Sequence, residues 1–319
     1  MTQNQNAPMV VALLGPSASG KTALSVELAE KLNAEIIALD STTPYKGFNI
    51  GTSKVDPLTR NRIAHHLIDI LEPSEPFNAF DFVKKADEAI ADILSRKKLP
   101  LIVGGTYFYL KGLQNGMYAI PPVDPSVVEN LEKEFEDAEN PLALMHQELQ
   151  QKDPASAKTI HPNDRYRILR ALAIHRSTGK RPSELSLSHP TPERPPRVWV
   201  KYALLVSRHD LTQLITQRTD QMLAQGIIEE TRLLRESHPS ARALSSIGYA
   251  ECMKFLNKEL DQKQLRNEII EKTRQLAKRQ MTWLRSDPEV RFIDRRDKDR
   301  IVLEISNLMF ALNPKGASL

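Results

Sequence analysis

Val10-Val-Ala-Leu-Leu14 followed by Gly15-Pro16-Ser17-Ala18-Ser19-Gly20-Lys21-Thr22 decides the fold. The five apolar residues are too few for a helix and carry no polar alternation, so they read as a strand buried on both faces. The next eight satisfy G-x-x-x-x-G-K-[ST], the anion-binding loop that joins a strand to a helix. A helix is expected from Lys21 to Leu32, where Leu24, Leu28 and Leu32 recur at helical spacing. Glycines let the backbone curl until several N–H groups converge at the positive end of a helix dipole. Lys21 adds a mobile cation, and Thr22 offers a hydroxyl to Mg²⁺. Gly15 to Thr22 therefore bind a phosphorylated ligand, and both a nucleotide triphosphate and a diphosphate fit the pattern.

Outward from this loop, the same alternation continues. Glu35 to Leu39 reads as a second buried strand, Phe80 to Leu94 as a helix with Phe82, Ala86, Ala89, Ile90 and Ile93 on one face, and Leu99 to Val103 as a third strand. Strands alternating with helices imply a parallel sheet covered on both faces, an α/β fold of the P-loop type. The pattern changes at Pro121, Pro122 and Pro125, where a charged helical block begins; Pro190, Pro192, Pro195 and Pro196 close it. The expected organisation is a catalytic core over 1–120 and 197–319, with a small helical domain inserted at 121–196. Val198 to Val206 returns to the sheet, and helices are expected over Asp210 to Arg235 and Asp261 to Arg285.

Ligands of such sheets lie beyond the carboxyl ends of the strands. Asp40 and Thr106 each follow a strand, so both should face the loop. Asp40 could accept a proton from a nucleophile, hold a metal-bound water, or merely close a turn. Gly104-Gly105 permits close backbone approach. Arg218, on the Asp210 helix, could balance a leaving anion or stay solvated. Between Gln262 and Ser286 seven basic residues stand against two acidic ones. Arg274, Lys278 and Arg285 form one stripe there, with Ile270, Ala277, Met281 and Leu284 on a separate apolar face. A second basic concentration, Arg165, Arg167, Arg170, Arg176, Lys180 and Arg181, falls in the insert. Two basic surfaces favour a polyanionic substrate, although net charge is only +4 over 319 residues. Cys252 is the single cysteine, which excludes an internal disulfide and fits a reducing cytoplasm. No signal core and no membrane-spanning apolar run are present in the sequence.

Several stretches, in order, resemble the bacterial tRNA dimethylallyltransferases, also called isopentenyl-tRNA transferases. They are Gly15 to Thr22, Asp40-Ser41 leading to Tyr45-Lys-Gly47, Ile50-Gly-Thr52, His66-Leu-Ile-Asp69 and Val103-Gly-Gly-Thr106. Ile160-His-Pro-Asn-Asp164, Ser246-Ile-Gly-Tyr249 and Thr273-Arg-Gln-Leu-Ala-Lys-Arg-Gln-Met-Thr-Trp-Leu-Arg285 complete the series. The resemblance implies transfer of a dimethylallyl group from dimethylallyl diphosphate to N6 of the adenosine 3′ of the anticodon. It implies that Ser17 to Thr22 hold the diphosphate with Mg²⁺ on Thr22, and that Asp40 takes the N6 proton. Thr106 would position the amine, while Arg218 and Lys21 balance the leaving group. The tRNA contacts it implies are Asp40, Ser41, Thr42, Thr43 and Thr106, then Tyr166, Arg167, Ile168, Leu169 and Arg170, and Ser245, Ser246, Ile247, Gly248 and Tyr249. The Arg274, Lys278 and Arg285 stripe would track the RNA backbone. The chain departs from the family pattern at Thr42-Thr43-Pro44, where relatives carry Gln, and at Ala250-Glu251, where relatives carry a base; the phosphate contact there is expected to be lost or supplied by Lys254. A monomer is expected. A small-molecule kinase using ATP explains the loop and Asp40 but not the basic helix; a third reading is a non-catalytic tRNA-binding protein whose P-loop is only a switch.

Overall fold

The computed structural model describes residues 7–117, 123–188 and 194–312. Pro121, Pro122, Pro190 and Pro192, expected to bracket the insert, lie outside the described residues, as do Met1 to Asn6. In chain order the elements are β1 (Met9–Leu14), α1 (Lys21–Lys31), β2 (Ala34–Leu39), α2 (Pro57–Arg62), β3 (His65–His66), α3 (Ala79–Ser95), β4 (Leu99–Gly104) and α4 (Tyr107–Asn115). Five helices follow: α5 (Pro125–Glu134), α6 (Pro141–Lys152), α7 (Pro154–Thr159), α8 (Arg165–Thr178) and α9 (Pro182–Ser188). The chain then runs through β5 (Val198–Leu204), α10 (Arg208–Gln225), α11 (Ile227–Ser237), α12 (Tyr249–Leu256), α13 (Gln262–Arg285), β6 (Val290–Ile293) and α14 (Lys298–Leu312). Two compact units result, one of residues 1–114 with 195–319 and one of 115–194.

The first unit is a six-stranded sheet of order β3-β2-β4-β1-β5-β6 in which every pairing is parallel. Every residue of β1 and β2 is buried. That burial explains why these strands read as unbroken apolar runs. The core joins Val11 and Leu13 of β1 to Leu24 and Leu28 of α1, Leu101 of β4 and Tyr202 of β5. α3 is the helix expected there, closed at its start by a reciprocal Asn78–Asp81 capping box, and all five expected face residues are buried. The single helix expected over Asp210 to Arg235 is instead two. Gly226 adopts a left-handed φ of 95°, which ends α10 and starts α11. On α13, Ile269 rather than Ile270 lies in the buried face.

The second unit is helical. Its core holds Leu131, Met145, Leu149, Ala157, Ile168, Leu169 and Leu172. Asp153, fully buried, accepts hydrogen bonds from Ser156 and Ser183, which tie α7 to α9. Among the described residues no helix is long and apolar enough to cross a membrane.

Candidate active site

β1, β4 and β2 are neighbours in the sheet, and the segments leaving their carboxyl ends make the floor of one cavity. They contribute Ser17 of the Gly15–Thr22 loop, Gly105-Thr106 and Asp40-Ser41-Thr42. The cavity has a volume of about 510 Å³ and lies wholly within the sheet-bearing unit. α10 supplies Arg218 together with Ile215, Thr219 and Met222, and α13 supplies a fourth side.

The loop is shaped for an anion. Gly20 is the N-cap of α1 with no side-chain cap and no acidic residue in the first turn. The leading N–H groups of that helix therefore have no competing acceptor. Ala18 holds φ at 67°, a left-handed conformation that costs an alanine about 1–2 kcal/mol, and such strain clusters at ligand-binding loops. Lys21 is folded over the loop, its Nζ donating to Gly15 O at 2.9 Å and Pro16 O at 2.7 Å. Although the residue as a whole is half-buried, its ammonium is withdrawn from water. Desolvation pulls its pKa down to about 7; Arg218 adds to the fall and Asp40 opposes it. Arg218 is likewise held below its ordinary value by burial, again opposed by Asp40. These three charges therefore face one another, and Arg218 is not a solvated surface cation.

Asp40 serves the turn and the cavity together. Its Oδ1 accepts from the N–H of Thr42 at 2.7 Å and of Thr43 at 3.0 Å. Its Oδ2 has no hydrogen-bond partner among the described residues. Thr106, half-buried, also faces the cavity.

The rim is drawn together by one carboxylate. Glu230 of α11 accepts from Ile50 N–H at 3.0 Å and from Tyr249 Oη at 2.6 Å, and Tyr249 Oη also meets Gly51 N–H at 3.1 Å. Ser245, Ser246, Ile247 and Tyr249 line the cavity; Gly248 does not, and its N–H donates to Glu251 at 2.6 Å.

The remaining expected residues divide. Thr43 is absent from the cavity lining, and its hydroxyl is buried without a hydrogen-bond partner among the described residues. Ile168 and Leu169 have their side chains buried in the helical unit's core, so they support α8 rather than present a contact surface. Tyr166, 69% exposed, Arg167 and Arg170 are the accessible members of that segment. Arg167 pairs with Asp164 at 3.2 Å, whereas Arg170 has no ion-pair partner among the described residues. Lys254, the candidate substitute cation, is paired with Glu268 at 3.1 Å, and Glu251 is buried against Lys272 at 2.8 Å.

Arg274, Lys278 and Arg285 are exposed and do not line the cavity. The cavity is lined from α13 by Ile269, Thr273, Leu276, Gln280 and Trp283, spaced four, three, four and three residues apart. At 100° per residue that face lies about 180° around the helix from the basic stripe. The cation of α13 that does reach the cavity is Arg279. Gln280 was the least conspicuous of these from sequence. It lies inside the Thr273–Arg285 stretch without charge or reactivity to mark it, and the four-three spacing is the signal that would have found it.

The IPP transferase family model matches residues 43–287. The tRNA dimethylallyltransferase of Syntrophobacter fumaroxidans is 40% identical over 298 residues, covering 93% of this chain and 86% of that protein. The tRNA dimethylallyltransferase 1 of Trichlorobacter lovleyi is 41% identical over 290 residues, covering 90% and 93%. The crystal structure of the full-length tRNA isopentenylpyrophosphate transferase from Bacillus halodurans superposes with a TM-score of 0.67 at 33% identity, covering 97% of this chain and 98% of that one. A eukaryotic dimethylallyltransferase acting on tRNA gives a TM-score of 0.72 at 28% identity, covering 95% and 78%. With a family model matching most of its length and relatives about 40% identical over about nine-tenths of it, the chain belongs to the IPP transferase family.

Proposed function

We propose that this chain transfers a dimethylallyl group from dimethylallyl diphosphate to N6 of the adenosine 3′ of the anticodon of tRNA, releasing diphosphate. One observation carries the reading: a single cavity gathers Ser17 of the anion loop, Asp40 and Thr106 with one face of α10. On that face Arg218, whose charge acts on Lys21, stands beside Ile215 and Met222, and α13 extends this apolar lining with Ile269 and Leu276. Thr219 adds to the apolar lining, because its hydroxyl donates back to Ile215 O at 2.9 Å. A phosphorylated ligand with a short hydrocarbon tail suits both the charged and the apolar lining, whereas a kinase accepting a polar metabolite has no use for the apolar part.

In this reading the allylic C–O bond breaks as positive charge spreads over the allyl unit. Lys21, Arg218 and the loop N–H groups take up the negative charge on the departing diphosphate. The N6 lone pair forms the new C–N bond, and the N6 proton passes to Oδ2 of Asp40, the oxygen left free by the turn. Thr106 orients the amine. The donor set also suits Mg²⁺. Among the described residues no three His, Cys, Asp or Glu side chains cluster as a metal cage. Thr22 stands exposed at the loop, and its hydroxyl has no hydrogen-bond partner among the described residues. A hard cation that takes most of its ligands from phosphate oxygens fits such a site, and Thr22 would hold it. When bound, the ion supplies charge neutralisation to the leaving group.

Ser41, Thr42 and the Ser245–Tyr249 rim would receive the extruded nucleotide. Tyr166, Arg167 and Arg170 would contact tRNA from the helical unit, with Arg279, Lys278 and Arg285 as backbone contacts. A monomer acting in the cytoplasm is part of the same proposal. The test is incubation of purified protein with labelled dimethylallyl diphosphate and unmodified tRNA. Label on the anticodon-loop adenosine is the expected result; unlabelled tRNA together with ATP-dependent phosphorylation of a metabolite sinks the proposal.

A further inference from the structure

Gln280 is the single α13 side chain hydrogen-bonded to the anion loop among the described residues. Its Oε1 accepts from Ser17 N–H at 2.9 Å, and its Nε2 donates to Gly105 O at 3.1 Å. The amide thus bridges two backbones that come from different strands. One belongs to the loop after β1, the other to the turn that carries Thr106 after β4. A glutamine suits this task, because one planar group both accepts and donates without adding charge beside an anion site. The approach is possible because residue 105 lacks a Cβ; one placed there would stand 2.3 Å from Nε2 and 3.1 Å from the amide carbon.

We infer that Gln280 is a positioning residue that fastens the anion loop to the Gly105-Thr106 turn, fixing the leaving-group wall of the cavity relative to the acceptor side. The inference rests on the transfer reading above for its catalytic part and on the loop's anion chemistry alone for the rest. Without the bridge, the Ser17 peptide must be ordered when the anion arrives, and the Thr106 turn is free to drift. A misplacement of about 1 Å at a reacting pair is enough to cost about 100-fold in rate. Leu276 and Trp283, which share the face of Gln280, and the adjacent Arg279 line the same cavity. α13 therefore carries tail, base and loop contacts on one rigid element.

The experiment compares wild type with Gln280→Ala, Gly105→Ala and the double variant. Two measurements are made: calorimetric binding of inorganic diphosphate, and tRNA prenylation at saturating donor. Gln280→Ala is expected to weaken diphosphate binding about tenfold and to lower kcat about tenfold, the scale of two modest hydrogen bonds lost. KM for tRNA and the thermal midpoint should stay close to wild type. Gly105→Ala should reproduce both losses by expelling the amide, and the double variant should be no worse than Gly105→Ala, since both changes break one link. Unchanged diphosphate affinity in Gln280→Ala, or losses that multiply in the double variant, overturns the inference. So does a fall in thermal midpoint with kcat intact, which would mark Gln280 as structural only. Should Gly105→Ala not fold, Gln280→Leu replaces it; equal losses in the leucine and alanine variants support the bridge, and wild-type behaviour in Gln280→Leu refutes it. A wild type that binds diphosphate but prenylates no tRNA removes the transfer reading, and the positioning role is then decided on diphosphate affinity alone.

Discussion

Raising the pH through neutrality should strip the anion loop of its lysine's contribution. Lys21 titrates near 7 in the free protein because its ammonium is buried against loop carbonyls and faces Arg218. A diphosphate bound to the loop favours the charged form, so binding takes up a proton wherever Lys21 is neutral beforehand. Protonated Lys21 should contribute about 10–100-fold to affinity, the range of a charge-assisted hydrogen bond. At about pH 6 roughly nine-tenths of the lysine is already charged; at about pH 8 roughly nine-tenths is neutral and must first be protonated. The contribution therefore shrinks about tenfold between these pH values, with a limiting slope of about one log unit per pH unit above 7. The assay is calorimetric titration with diphosphate across that range, for wild type and Lys21→Met in parallel. The ligand's own ionisation is common to both proteins and cancels in the ratio of their affinities. A ratio that stays flat from about pH 6 to 8 would show that Lys21 is charged throughout, and the desolvation argument would fail.

Asp40→Asn keeps the Oδ1 acceptor for Thr42 and Thr43 but removes the proton acceptor, so single-turnover transfer at saturating donor should fall ~10²–10⁴-fold; a loss under about tenfold counts against the assignment. In Gly104→Ala the added Cβ would stand 2.1 Å from the carbonyl oxygen of Leu39, a backbone atom in the adjacent strand, so urea denaturation should show a loss of about 2 kcal/mol or more. An unchanged midpoint would mean that β2 and β4 can part freely. Glu230→Ala strands the Tyr249 hydroxyl and the N–H of Ile50, so it should destabilise by about 3 kcal/mol and speed amide exchange at residues 49–51, as hydrogen-exchange mass spectrometry would report. Finally, tRNA affinity should fall steeply with salt, and Lys278→Ala and Arg285→Ala should each flatten the log–log slope by about 1; slopes identical to wild type would remove that face of α13 from the RNA interface.

Much of this architecture was legible in the chain, for identifiable reasons. β1, β2 and β4 are buried on both faces, so each reads as an apolar run ended by a turn residue, and the loop after β1 has its own spacing. Strands β3 and β6 left no comparable trace. His65-His66 is only two residues long, and β6 exposes Arg291 and Phe292 at the sheet edge. Both are strands because β2 and β5 offer them partners, a tertiary cause that local sequence does not carry. The helix break at Gly226 was passed over because apolar residues continue on either side. Segment-wise resemblance carried Ile168 and Leu169 along with their accessible neighbours, although a helix must send some of any five consecutive residues inward. On α13 the eye follows charge, which marked the solvent face. The cavity face is announced only by the quieter recurrence from Ile269 to Trp283.

Glu230 bears on how this scaffold can be rebuilt. Its carboxylate sits on α11, yet the groups it satisfies belong to the 49–51 loop and to Tyr249, about 180 and 19 positions away in the chain. Grafting a relative's 49–51 loop onto this protein to retune acceptor choice would bring in backbone donors shaped for another anchor. Such chimeras should succeed only when the loop, the tyrosine and the glutamate travel as a set, whatever the overall similarity of donor and recipient.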